Sequence, residues 1–164
     1  MFLAGIIPGP KEPNYKTIPN FVAPIMDACV IGWERGYHIS RTASQPKTGH
    51  HVDLAVILSV NDLPAACKMS GAAGHGSPHC SVCNASSHGL DTCFHQWTSR
   101  DIGEMHQYAY AWRDAHTAAE RVEIFKKHGI RWSELWRLSY WDPTQMLIID
   151  SMHCILEGLV HYHC

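Results

Sequence analysis

The stretch Val52-Asp53-Leu54-Ala55-Val56-Ile57-Leu58-Ser59-Val60-Asn61-Asp62-Leu63-Pro64-Ala65 decides the reading of the fold. Residues 52–60 are apolar and β-branched almost without a break, the pattern of a strand buried on both faces within a sheet covered by helices. Asn61-Asp62-Leu63-Pro64 then turns the chain out of the strand and into a helix start. Asp62 thus stands at the carboxyl end of a strand, where ligand chemistry gathers in open α/β sheets. A carboxylate there can bind Mg²⁺, which takes one or two protein carboxylates and keeps its waters. It can equally well cap the helix that follows.

A second apolar run, Met146-Leu147-Ile148-Ile149, ends in Asp150-Ser151-Met152-His153. It reads as a second buried strand over 145–149, followed by a helix capped by Ser151. Asp150, at the end of this strand, is the rival carboxylate to Glu157, with the alternatives of capping that helix or orienting His153. Glu157 lies four residues after His153 among Ile155, Leu156, Leu159 and Val160, where a carboxylate is costly unless paired or metal-bound. His161 falls two turns beyond His153, on roughly the same helical face.

Upstream, residues 1–19 hold Pro8, Pro10, Pro13 and Pro19 and read as a strand followed by an extended loop. Phe21, Val22, Ile25, Met26, Cys29, Val30 and Trp33 recur at helical spacing between a cap at Asn20 and a stop at Gly36. Residues 63–70 start a helix that Gly71 ends. Residues 74–99 are rich in Gly, Ser, His and Cys and carry no period, so a metal is the obvious device to hold them. Residues 102–128 form one long helix or two, ending at Gly129, and Ser133 opens a short helical turn. The fold class is therefore α/β: a single domain over 1–164 with a helical insertion region, 74–144, between two buried strands.

Within the loop, Cys80-Ser81-Val82-Cys83 has the spacing of a zinc half-site, since two intervening residues let both thiolates reach one tetrahedral ion. His153 is the best residue to complete it, ahead of His161; His75, His79, His88, Cys93 and His95 lie nearer in sequence. The 7 Cys and 13 His of the 164 residues suit reduced thiols and metal binding better than disulfides. An intracellular compartment follows. The net charge of −2 gives no broad electrostatic footprint for nucleic acid. No apolar run approaches the ~18–20 residues of a membrane span.

With these residues assembled, the chain resembles the CACTA (En/Spm-type) transposases, in the variety found in mushroom-forming fungi. The resemblance is carried by Leu3-Ala4-Gly5-Ile6-Ile7-Pro8-Gly9-Pro10, Asn61-Asp62-Leu63-Pro64-Ala65, Gly74-His75 leading to Cys80 and Cys83, Trp112-Arg113-Asp114-Ala115, His128–Leu135 and Asp150-Ser151-Met152-His153. It implies a ribonuclease H-like catalytic domain of the DDE class, which cuts and joins DNA with two Mg²⁺ ions. Asp62 matches the second catalytic Asp, Glu157 the catalytic Glu, Cys80 and Cys83 the zinc pair, and His153 a zinc-site His. The first catalytic Asp, on earlier strands, has no counterpart, so the resemblance implies a partial catalytic domain, inactive alone. It further implies transposon-end DNA as the partner of the full-length protein, a nuclear location and structural Zn²⁺, and leaves homo-oligomerisation open. The rival expectation is a domesticated, non-catalytic, zinc-stabilised domain that binds protein or DNA.

Overall fold

The computed structural model describes residues 3–7, 9, 12–74, 80–85 and 94–163. The chain divides into two compact units, 1–57 and 58–164. The boundary falls inside the apolar run that the sequence reads as one strand.

The first unit is a helix and a hairpin. Helix α1 (Ile18–Glu34) starts three residues earlier than its apolar period suggests. Asn14, not Asn20, satisfies the entry, its Oδ1 accepting from Lys16 N at 2.9 Å and Thr17 N at 3.2 Å. Strands β1 (Tyr37–Ile39) and β2 (His50–Val52) pair antiparallel, with Tyr37 opposite Val52. They lie on α1 through Gly32, where an added Cβ would come within 2.8 Å of Leu54 Cβ and 3.0 Å of the Tyr37 ring. Tyr37 Oη donates to Ala28 O at 2.7 Å, and Leu54 N to Gly32 O at 3.0 Å. Residues 3–7 carry no strand. Of the periodic apolar positions of α1, Met26 is buried, whereas Phe21, Ile25 and Trp33 are exposed.

The second unit holds the core. Strand β3 (Ser59–Asn61) runs into helix α2 (Leu63–Ser70), which ends at Gly71 in the left-handed region, φ +74°. Helices α3 (Ile102–Asp114) and α4 (Ala118–His128) split the long helical stretch in two. Thr117 and Glu120 form a capping box that restarts the helix. Gly129, φ +68°, closes α4. Ser133 caps a 3-10 turn, Glu134–Arg137, and its hydroxyl also donates to Met69 O. A short helix α5 (Pro143–Met146) leads into β4 (Leu147–Ile149). The chain then winds through a π-helix, Met152–Val160, into the short helix α6 (His161–His163).

Trp136 and Ile130 are each 1% exposed and anchor this core with Ala66, Met105, Ala109, Leu135, Leu138 and Trp141. Gly71–Ala73 lies antiparallel to Gly129–Arg131: Ala73 N donates to Gly129 O at 2.8 Å and Arg131 N to Gly71 O at 2.9 Å. This cross-link joins the C-terminus of α2 to the C-terminus of α4.

Helices and small sheets together fit the α/β class. Two expectations need correction. Residues 52–60 do not form one buried strand: Val52 ends the hairpin, 53–58 are irregular, and only 59–61 pair with β4. Ile57 is 71% exposed and Val60 59%. The run is apolar on both sides because its two ends serve different units, and among the described residues no second layer covers it. Ser151 makes no capping hydrogen bond; Asp150 takes that role, as described below.

Candidate functional site

Strands β3 and β4 pair in parallel, with Ser59 opposite Leu147, Val60 opposite Ile148 and Asn61 opposite Ile149. The next residue of each strand is an aspartate. Asp150 N donates to Asn61 O at 2.9 Å, so the pairing continues to the end of both strands. Adjacent strands lie ~4.8 Å apart and side chains alternate between faces. Asp62 and Asp150 therefore leave the same edge of the sheet side by side.

Each aspartate opens a helix. Asp62 Oδ1 accepts from Ala65 N at 2.6 Å, with Pro64 in the first turn of α2. Asp150 Oδ1 accepts from His153 N at 3.0 Å, and its Oδ2 meets His153 Nδ1 at 2.8 Å. One carboxylate thus caps the terminal helix and holds the imidazole. The hydrogen bond from Asp150 raises the His153 pKa above 6.5, with further support from the charges of Asp150, Glu157 and Asp62. In return, the His153 and Met152 N–H groups and the imidazole hold Asp150 below the usual carboxylate value of 3.8. Asp150 is the carboxylate in contact with His153; the charges of Glu157 and Asp62 add to its effect without a direct contact.

The thiols form a second cluster. Cys83 Sγ lies 3.5 Å from Cys80 Sγ, and Val82 N donates to Cys80 Sγ at 3.4 Å. Two thiolates on one tetrahedral zinc ion, with Zn–S near 2.3 Å, stand ~3.8 Å apart. The pair fits a zinc half-site in spacing and donor type. Burial raises the Cys80 thiol, but the Val82 and Cys83 N–H groups, the Cys83 thiol and the Arg100 charge outweigh it and hold Cys80 below 9.0. Cys83 is pushed the other way, first by burial and then by Cys80. Cys67, 5% exposed in the second turn of α2, is close enough to feel the Cys80 charge.

α2 spans the two clusters, with Asp62 at its first turn and Cys67 five residues on, about 7.5 Å along the axis. His153 belongs to the carboxylate end; its charged neighbours are Asp150, Glu157 and Asp62, whereas those of the thiol pair are Arg100 and Cys67. His161 is exposed, its ring edge-on to Tyr162 at 5.3 Å. Cys80, Cys83, His153 and His161 are therefore not gathered into one group. Among the described residues no set of three or more His, Cys, Asp or Glu is arranged to hold a metal ion. His75, His79, His88 and Cys93 lie outside the described residues. By donor type the carboxylate oxygens are hard ligands of the kind Mg²⁺ takes, and the thiols soft ligands of the kind Zn²⁺ takes.

Asp150, rather than Glu157, makes the contact with His153, and Cys67 and Arg100 join the thiol cluster unannounced by any motif. An Asp three residues before His at a helix start is a legible cap-and-hold signal. Nothing in the sequence marks Arg100, whose partners are main-chain carbonyls remote along the chain.

Among the described residues no helix is long and apolar enough to cross a membrane. No curated protein and no solved structure matches the chain. The model of the transposase family tnp2 matches residues 1–108, about two thirds of the sequence, a span that includes Asp62, Cys80 and Cys83 and stops short of Asp150, His153 and Glu157. The chain belongs to the transposase family tnp2.

Proposed function

We propose that this chain supplies part of a DDE-type catalytic domain of the CACTA kind, built on a ribonuclease H-like core and acting on transposon-end DNA in the nucleus. The observation that carries this reading is the parallel register of β3 and β4, which brings Asp62 and Asp150 to one edge of the sheet. Glu157, whose charge adds to the field at His153, would be the third carboxylate. When bound, Mg²⁺ would activate the attacking oxygen and stabilise the leaving oxygen of a DNA strand. Asp62 and Asp150 would hold it, with Glu157 beside them. His153 fixes the Asp150 carboxylate through its ring and main-chain nitrogens and offsets the mutual repulsion of the acidic groups. Among the described residues the edge of β3 away from β4 is unpaired, so a further parallel strand carrying the first Asp has a place to add. Cys80 and Cys83 begin a structural zinc site that pins the loop after α2.

The test is Mn²⁺ binding, followed by water-proton relaxation, in wild type and in Asp62→Asn and Asp150→Asn. Loss of the tightest Mn²⁺ on either substitution supports the reading; unchanged binding in both refutes it. A second reading is favoured by one observation: both aspartates are already spent on helix caps. It makes the chain a non-catalytic, zinc-stabilised binding domain. Zinc retention together with no carboxylate-dependent Mn²⁺ site would select it.

A further inference from the structure

Residues 80–84 form a tight turn, and its partner is the segment 98–100. Asn84 N donates to Thr98 O at 3.0 Å, Arg100 N to Val82 O at 3.0 Å, and Thr98 N to Asn84 Oδ1 at 2.9 Å. Cys83 bridges Ser99 in antiparallel fashion. Arg100 ends this ladder, and the next residue, Asp101, caps α3 through Glu104 N at 2.8 Å. Its main chain is thereby held between a ladder and a helix start.

The half-buried side chain of Arg100 forks. Nη1 donates to Cys80 O at 3.2 Å and Nη2 to His128 O at 2.7 Å. His128 is the last residue of α4, where a cation is favourable against the helix dipole. Its ring stacks on Tyr108 of α3 at 3.5 Å, so the far end of the fork is fixed too. Among the described residues Arg100 forms no ion pair with a carboxylate. Burial works against its charge, and the two groups that favour that charge are Cys80 and Glu104. A half-buried guanidinium whose hydrogen bonds both go to main-chain carbonyls calls for a role in holding them.

We infer that Arg100 is the positioning residue of the thiol pair, clamping the Cys80 carbonyl to the end of α4 so that Cys80 and Cys83 are pre-set for one tetrahedral ion. This rests on the structural-zinc reading above. The clamp acts through geometry: a planar fork reaches two carbonyls at once, and a lysine ammonium on a flexible stem cannot hold both in a fixed relation. Partners outside the ligand set typically change metal affinity 10–100-fold when removed.

The experiment titrates Co²⁺ into the reduced full chain and follows the thiolate-to-cobalt charge-transfer band. Arg100→Met and Arg100→Lys are compared with wild type, and near-ultraviolet circular dichroism of the tryptophan core reports folding. The expected result is a folded Arg100→Met with Co²⁺ affinity lowered at least tenfold and an altered band, and an intermediate Arg100→Lys. Wild-type affinity and an unchanged band in folded Arg100→Met would overturn the proposal. Should Arg100→Met unfold, Arg100→Lys decides: affinity equal to wild type overturns the clamp, and a several-fold loss supports it. If wild type itself shows no thiolate band, the zinc reading fails and the clamp with it. That outcome is distinct from a wild-type band that Arg100 does not affect.

Discussion

Asp62 is the residue at which a structural and a chemical role can be separated by one pair of substitutions. Its Oδ1 accepts from Ala65 N at 2.6 Å, satisfying one of the orphan donors of α2. That helix carries Ala66, Cys67 and Ser70 into the core. Replacing a capping Asp by Ala costs ~1 kcal/mol, while Asn caps about as well as Asp. Asp62→Ala should therefore destabilise the second unit by ~1 kcal/mol and Asp62→Asn hardly at all. With a urea slope of roughly 1–3 kcal/mol per molar, the Ala variant's midpoint falls by about 0.3–1 M at constant slope. Asn offers a neutral amide oxygen in place of an anionic one, so metal affinity should fall in both variants. Urea unfolding followed by tryptophan fluorescence, paired with Mn²⁺ titration, gives the two readings independently. Equal unfolding midpoints in all three proteins would refute the capping argument. Mn²⁺ affinity that survives in Asp62→Asn would remove Asp62 from the metal site even with the cap confirmed.

Other outcomes follow from the same geometry. Trp136→Ala should destabilise the second unit by about 3–5 kcal/mol, enough to unfold a marginal domain, measured by loss of near-ultraviolet circular dichroism. In an NMR titration the His153 ring should change protonation above pH 6.5, and in Asp150→Asn it should move back toward 6.5. Because the folded pKa of His153 is raised, the stability it contributes is present below pH 6.5 and is lost as pH rises through the folded value. Asp150, depressed below 3.8, contributes above that pH and loses its share as pH falls through its folded value. A stability–pH profile that Asp150→Asn leaves unchanged at both ends would contradict this pairing. Gly71→Ala should be strongly destabilising in thermal melts, since φ is +74° and an added Cβ would sit 2.3 Å from Arg131 O.

What the sequence made legible, and what it concealed, divides along physical lines. Helix stops were readable, since Gly71 and Gly129 occupy left-handed caps; helix starts were less so, because Asn20 and Ser151 do not cap and the Thr117–Glu120 capping box went unread. The thiol turn was readable because the spacing of Cys80 and Cys83 is itself a geometric constraint. The extent of the strand over 52–60 was not, because an apolar run states a preference for burial without showing that anything covers it. The company of His153 was not readable either. Helical periodicity placed it on a face with Glu157, but only the strand register and the Asp150 cap turn that face toward carboxylates and leave the thiols with Arg100.

The parallel pairing of β3 and β4 carries a further consequence. Parallel sheets are found with both faces covered, yet Val60 is 59% exposed and Ile148 is 38% exposed on the face they share with Asp62 and Asp150. Apolar side chains and two carboxylates thus alternate along one open face. The apolar pair would be expected to accept a packing layer. The aspartates, two residues further, would be expected to stay at its rim, because burying them without partners is costly. A covering layer that stops at the strand ends satisfies both demands and leaves the carboxylates in a cleft rather than under a lid. On the proposed reading, such an edge would leave the carboxylates open to a large polyanion. His153 is already placed to moderate their charge.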